Sequence, residues 1–454
     1  MSELDDVRNI AKSRHDRFAL AVRVAVAVVV VVGWGAYFLT QRGWPASLFM
    51  RSGKTFGTLP QAGPAAKNTI AYIAPDGEIR VTDAVSGRSW RVGKTHSYYP
   101  ALAWSHDGRY LAYLNRDGKG VESLMMAPTD RDDPCVFFRD PELGLLYHAW
   151  SPDDTRLAVL GREQGQVGLY VTPRDAPSET RCFASADSCY FNWRPDGGAI
   201  VANMGSVGLS VFDIATGAGD PVEMDASMFQ TPAWPVGDTF YYLAHRPGGN
   251  ELRRANGHTL EGERLSEGPL MCRIVASPNG RYLAYLDTPL SSFMPLRSRR
   301  PGAAFVVDTA TGEETSVSCD TAYAFYWSPD STKLMLMSSV GDFETAPEAE
   351  DRFPPIGRPD ELGMRRHRWW VYDVGTGECT PLVQCRMTPL SLQTLPFFDQ
   401  YAHSHRYWDP GSRYFLLPAR QYEDHQGDIW VLDTTGEEPP RRLAEGGAAV
   451  WSWQ

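Results

Sequence analysis

Residues 397–428 gather His403, His405, Arg406, Asp409, Arg420, Tyr422, Glu423, Asp424 and His425. On a strand, His403 and His405 point to the same face, because side chains alternate. Two imidazoles on one face can bind a metal when a third ligand such as His425 or Asp424 faces them. The plainer role of histidines at strand entries is to cap edges and bind water.

Two other stretches carry groups suited to contact. Residues 338–368 run from acidic (Asp342, Glu344, Glu348, Glu350, Asp351) through proline-rich to basic (Arg365, Arg366, His367, Arg368). A loop this long inside a compact fold is often functional. Residues 288–301 set Phe293, Met294 and Leu296 among Arg297, Arg299 and Arg300. Both are expected as loops that either meet a protein partner or keep the surface solvated.

What positions these groups is a repeat. An aromatic residue, a Ser-Pro-Asp-Gly-like turn and an apolar run recur at Trp104, Trp150, Trp193, Trp234, Ala276, Trp327, Trp408 and Trp451. The spacings are 46, 43, 41, 42, 51, 81 and 43 residues. A period in the forties built from short strands matches one four-stranded propeller blade. Pro presets φ at the turn, Gly takes positive φ, and Asp bonds its own backbone. The strand that follows, as in Tyr110-Leu111-Ala112-Tyr113-Leu114, is almost continuously apolar, as expected where both faces are covered.

A second turn phrase, Asp-x-x-Thr/Ser-Gly, follows strands ending at Asp83, Asp213, Asp308 and Asp373, and a one-residue-shorter version follows Asp433. Two hairpins per unit make four strands. Val450 and Trp451 form a lone first strand at one end, and residues 69–95 read as a unit that lacks one. Pairing them closes a ring and removes exposed edges. The fold class expected is all-β, an eight-bladed β-propeller over residues 68–454. Seven blades remain open if the unit at Ala276 or residues 327–408 pack differently.

These phrases resemble the TolB-like and WD-like propeller repeats of bacterial envelope proteins. The resemblance implies the fold and leaves the activity open, since such repeats also occur in translocation partners, sensor ectodomains, carbohydrate lyases and peptidase propellers. The chain is similar to the propeller part of dipeptidyl-peptidase-type proteins, yet contains no G-x-S-x-G nucleophile elbow. Oligogalacturonate lyases, propellers of this repeat type, use histidines around an axial metal, which implies a candidate site at His403, His405 and His425.

Residues 18–39, from Phe18 to Leu39, suit lipid, interrupted by Arg23 near one end; as a helix they span about 33 Å. Trp34, Tyr37 and Trp44 suit the far interface. The expected order is a cytoplasmic tail (1–17), a transmembrane helix (18–39), a linker (40–67) and the propeller. Arg8, Lys12, Arg14, Arg17 and Arg23 precede or open the span, against Arg42, Arg51 and Lys54 after it, which favours an extracytoplasmic propeller.

The net charge is −11, which argues against a nucleic-acid face, because phosphate binding needs clustered cations. Seven cysteines are too few for a disulfide scaffold. Cys182 with Cys189, and Cys379 with Cys385, are near enough to bridge, or all are buried thiols. No cofactor is called for, and no C-x-x-C supports zinc.

The functional expectation is a single-pass membrane protein whose extracytoplasmic propeller is a non-catalytic binding or scaffolding module with a protein partner. The alternatives are a metal-assisted polysaccharide lyase or related enzyme with an axial site, and a sensor ectodomain.

Overall fold

The structure, a computed structural model, describes residues 54–227, 229–268, 271–287, 302–340, 351–353, 356, 366–421 and 427–454. The segment 1–53, with the expected tail and membrane span, lies outside these residues, as do 288–301, 341–350, Arg365 and 422–426. Among the described residues no helix is long and apolar enough to cross a membrane.

The described chain is a β-propeller built from antiparallel sheets whose strands follow one another in sequence. A representative sheet runs Tyr190–Trp193, Ala199–Asn203, Leu209–Asp213, Gly219–Glu223. Its second strand is buried at every position, and its fourth is exposed or half-buried throughout. Inner strands have a neighbouring sheet on each face, so apolar residues run without alternation. Outer strands face water and carry the charge.

Six sheets have four or five strands, and one has seven, from Ala324–Trp327 to Arg441–Glu445. Within the seven-stranded sheet, Cys379–Met387 touches Tyr414–Arg420 through only two residue pairs. Trp408 bridges Phe415 just beside that junction. The two-residue strand Thr55–Phe56 adds a fifth strand to the sheet of Ala103–Trp104 by pairing with Cys135–Arg139.

As the repeat implies, Ala448–Trp451 pairs with Thr69–Ile73, Trp451 opposite Ile70 and Ala448 opposite Ile73. Ala448–Trp451 and Thr69–Ile73 thus share one sheet with Glu78–Asp83 and Ser89–Lys94.

The repeated phrase has a hydrogen-bond explanation. Each Ser bonds inside its turn: the Ser105 hydroxyl donates to Asp107 Oδ1 (2.7 Å) and accepts from the Tyr110 N–H (2.9 Å). Four of the repeat indoles reach the preceding unit. Trp104 Nε1 donates to Val450 O, Trp150 to Ala103 O, Trp327 to Val275 O and Trp408 to Tyr326 O, at 3.0–3.2 Å. In every case the acceptor directly precedes the aromatic position of the neighbouring unit. These four tryptophans therefore rivet one inner strand to the next, and their N–H groups are satisfied on burial.

In six units the fourth residue after the aromatic position sits at positive φ, and after Trp234 the third, Gly237, does. At Gly280 (φ 71°) an added Cβ would fall 2.2 Å from Val236 Cγ2. Three units carry side chains here instead, Asp154, Ser331 and Ser412 (φ 57°, 65° and 58°). Each clasps the turn of the repeat unit before it. Asp154 accepts from the N–H groups of His106 and Asp107, both at 2.7 Å, and Ser331 and Ser412 accept from Asn279 and Asp330 at 3.0 Å. A strained conformation held in place by its surroundings is expected only where it serves a contact.

Two expectations about loops and cysteines need correction. The insertion expected at 338–368 is shorter, because strands Lys333–Val340 and Arg366–Asp373 extend into it as a continuous eight-pair ladder. Neither bridge that the spacing allows, Cys182–Cys189 or Cys379–Cys385, forms. Cys379 is bonded to Cys319, and Cys182, Cys189 and Cys385 are free thiols. Adjacent sheets bring Cys319 and Cys379 together, a proximity that sequence spacing conceals.

Candidate functional site

The segment leading from Met387 to Trp408 departs from the repeat. Thr388 caps its start, its hydroxyl accepting from the Ser391 N–H (3.3 Å), and Pro389 occupies the first helical position, where its missing N–H costs nothing. Helical turns follow at Pro389–Thr394, Leu395–Phe397 and Phe398–Tyr401. His403 and His405 continue this turn, the His405 N–H donating to Tyr401 O at 2.7 Å. The strand expected at these histidines is absent, so alternation does not govern where they point.

This helical segment forms a plug among the blades, anchored to strands or adjoining turns of six sheets. The Thr388 hydroxyl donates to Gly447 O, and the Tyr147 hydroxyl lies 3.0 Å from Gln400 O and 2.8 Å from Ser404 Oγ. The Gln400 carboxamide accepts from the Phe191 N–H and donates to Phe191 O, both at 2.9 Å, pairing with that strand as another strand would. Phe398 packs on Phe325 and Tyr326.

Asp399, fully buried, accepts from the Thr231 N–H (3.2 Å) and is paired with Arg273 at 2.9 Å. Arg273 also donates to Pro396 O. It sits at φ 55° where the ladder between Met271–Ala276 and Tyr282–Asp287 shifts register. This bulge re-aims the side chain toward the plug.

Above the plug is a cavity of about 390 Å³. Its mouth is lined by the turn prolines Pro152, Pro195, Pro235, Pro278 and Pro329 with several of the repeat tryptophans, and its floor by Asn192, Gln400, His403, His405 and Arg406. Loss of water around the rings pushes the imidazoles strongly toward neutrality. His403 falls to about 4, with Asp399 opposing, and His405 to about 3, helped by nearby His148, itself at about 4 through burial.

His403 lies 3.4 Å from Asn192 Nδ2, and His405 Nδ1 is 2.9 Å from Ser404 Oγ, with its ring edge-on to Tyr401. Arg406 donates to Trp453 O (3.1 Å), with its guanidinium 5.0 Å from the Trp453 ring centre. Burial lowers its pKa to about 10, opposed by Asp409.

The structure brings His403, His405 and Arg406 to one cavity. Asp409 lies in the adjoining turn. Among the described residues no group of three or more His, Cys, Asp or Glu is placed to hold a metal; His425, with Tyr422, Glu423 and Asp424, lies outside them. Phe293, Arg297, Arg299, Arg300 and Arg365 also lie outside.

Arg366 and Arg368, expected on a loop, are in a strand. Arg368 Nε is 2.8 Å from Asp351 Oδ1, and its guanidinium stacks on Trp370 at 5.6 Å. Strand pairing carries the basic stretch into the sheet.

Sequence reasoning missed the plug and its partners Arg273, Asp399 and Gln400. A signal existed: Thr388-Pro389 is a helix-start pair, and Leu392, Leu395, Phe398 and Tyr401 recur every three residues.

No protein-family model matches the sequence, and no curated protein matches it. Solved structures do match in fold. Dihydro-heme d1 dehydrogenase NirN in complex with DHE is 16% identical, with 89% of this chain and 80% of that chain covered and a TM-score of 0.55. Oligogalacturonate lyase in complex with manganese is 11% identical, covering 76% and 86%, TM-score 0.45. TolB from Acinetobacter baumannii is 14% identical, covering 69% and 81%, TM-score 0.38. Likeness at this level concerns the fold alone.

Proposed function

We propose that this chain is an eight-bladed propeller, tethered to a membrane through residues 18–39 with the propeller outside the cytoplasm, that works as a non-catalytic binding module. The eight-blade count divides the seven-stranded sheet at its two-pair junction, with Trp408 starting the last blade. The indole and turn clasps support this division, because Trp408 and Ser412 reach back to Tyr326 and Asp330 as one unit reaches another elsewhere.

The observation that carries the binding reading is the cavity over the plug. The plug forms its floor, and the lining offers aromatic rings, prolines, the neutral imidazoles of His403 and His405, the His106 ring and one guanidinium, with no carboxylate among its described residues. Such a mostly apolar concavity with a few convergent polar groups suits holding a ligand or a partner's extended segment. General acid–base work calls for groups titrating near the working pH, whereas His403 and His405 on the floor lie well below it.

A photo-crosslinking residue at Val236, which is exposed beside the mouth, tests this in native membranes. A discrete adduct that disappears when Ala402 is replaced by Trp to fill the cavity is the expected result. No adduct, together with turnover of a polysaccharide by the purified chain, would move the protein to the enzymes. Retention in the membrane after carbonate washing, lost on deleting residues 18–39, checks the tether.

A further inference from the structure

We propose that the axial cavity recognises a carboxylate carried on an apolar body, with Arg406 as its anion-binding group. The inference rests on the cavity being a ligand site and adds the class of ligand.

Among the described residues Arg406 is the one permanent cation lining the cavity, and none of their carboxylates pairs with it. Asp409, the acid whose field it feels, is spent on its own turn. Its Oδ1 accepts from the Arg413 and Tyr414 N–H groups at 2.7 and 2.6 Å, and its Oδ2 from Gly411 at 2.9 Å. Burial depletes the water around the guanidinium without supplying a counter-ion, so an incoming anion restores what burial removed.

The rest of the geometry suits a carboxylate. Stacking on Trp453 and the bond to Trp453 O fix the plane of the guanidinium. A planar fork held in this way matches two carboxylate oxygens. His403 and His405, neutral at physiological pH, supply further ring donors or acceptors on the same floor without adding charge. The proline and tryptophan mouth then covers an apolar body. A volume of about 390 Å³ admits a small organic acid or the last residues of a chain, and these two sources share the chemistry.

Binding by the purified full chain in detergent distinguishes them. The probes are 3-phenylpropionate, its neutral amide, and a hexapeptide ending in phenylalanine as free acid or C-terminal amide. Each free acid is expected to bind at least about 10-fold more tightly than its amide. That preference should vanish in Arg406→Gln and return in part in Arg406→Lys. A peptide acid more than about 10-fold tighter than phenylpropionate identifies a chain terminus; equal affinities identify a free acid.

Acid and amide binding equally, with both lost in Ala402→Trp, would overturn the carboxylate assignment and leave the cavity reading standing. Binding that survives Ala402→Trp would overturn the cavity reading itself, and no binding of any acid overturns the carboxylate assignment. The acid-against-amide comparison needs no variant, so it stands even if Arg406→Gln does not fold.

Discussion

Arg273 and Asp399, 126 residues apart, meet at 2.9 Å with side chains 8% and 0% exposed. One stands on a bulge of an inner strand, the other on the axial plug. Breaking a buried pair from one side leaves an uncompensated charge, so Asp399→Ala is expected to cost about 3–5 kcal/mol in urea unfolding. Arg273→Met with Asp399→Leu removes both charges and should recover most of that loss. A double variant no more stable than the single would show that the two charges are not coupled.

Acid should loosen the same region. The folded-state values of His148, His403 and His405, about 4, 4 and 3, lie below the ordinary imidazole value of 6.5. As pH falls through 6.5 the unfolded chain takes up protons that the folded chain refuses. Their contribution is therefore complete above pH 6.5 and lost progressively below it, by up to about 1.4 kcal/mol per pH unit for each histidine. Urea midpoints between pH 7 and 5 measure the slope, and His405→Asn should flatten it by about a third.

The clasp between turns predicts an unusual ordering of variants at one position. Asp154→Ala keeps the positive φ and loses the bonds to the His106 and Asp107 N–H groups. Asp154→Gly loses the same bonds but relieves the backbone. Both should destabilise, Ala by about 2–3 kcal/mol and Gly by roughly 1 kcal/mol less. Equal losses in thermal unfolding would mean the backbone is unstrained there.

Removing residues 450–454 deletes the partners of Ile70 and Ala71 and the acceptor of the Trp104 indole. Unfolding should become less cooperative, with the midpoint lowered by at least about 5 °C. An unchanged thermal transition would refute the pairing.

The Cys319–Cys379 bond closes a 60-residue separation. Replacing both cysteines with Ser is expected to cost up to about 4 kcal/mol. A Cys385→Ser control should not reproduce the effect of reductant.

The propeller was legible because its determinants are local and repeated. Ser105 and Asp107 fold their own turn, and Leu111 to Leu114 are apolar because sheets cover both faces. The candidate site was legible only in part. His403, His405 and Arg406 stand out by residue type, yet their placement depends on Thr388, Gln400 and Asp399 finding partners on distant sheets. Arg368 looked like a free loop cation until pairing with strand Lys333–Val340 carried it to Asp351. Cys379 found Cys319 by the same route. What escaped the sequence is what side chains do across sheets.

The pairing of Trp451 with Ile70 also sets an order of events during synthesis. Strand Thr69–Ile73 leaves the ribosome ahead of its partner Ala448–Trp451, which emerges some 380 residues later. At about 5–20 residues per second, that leaves the early strand with a bare edge for roughly 20–80 s. Through that interval the nascent chain carries a template for pairing with a neighbouring copy, and a chaperone or the unfinished sheets must shield it.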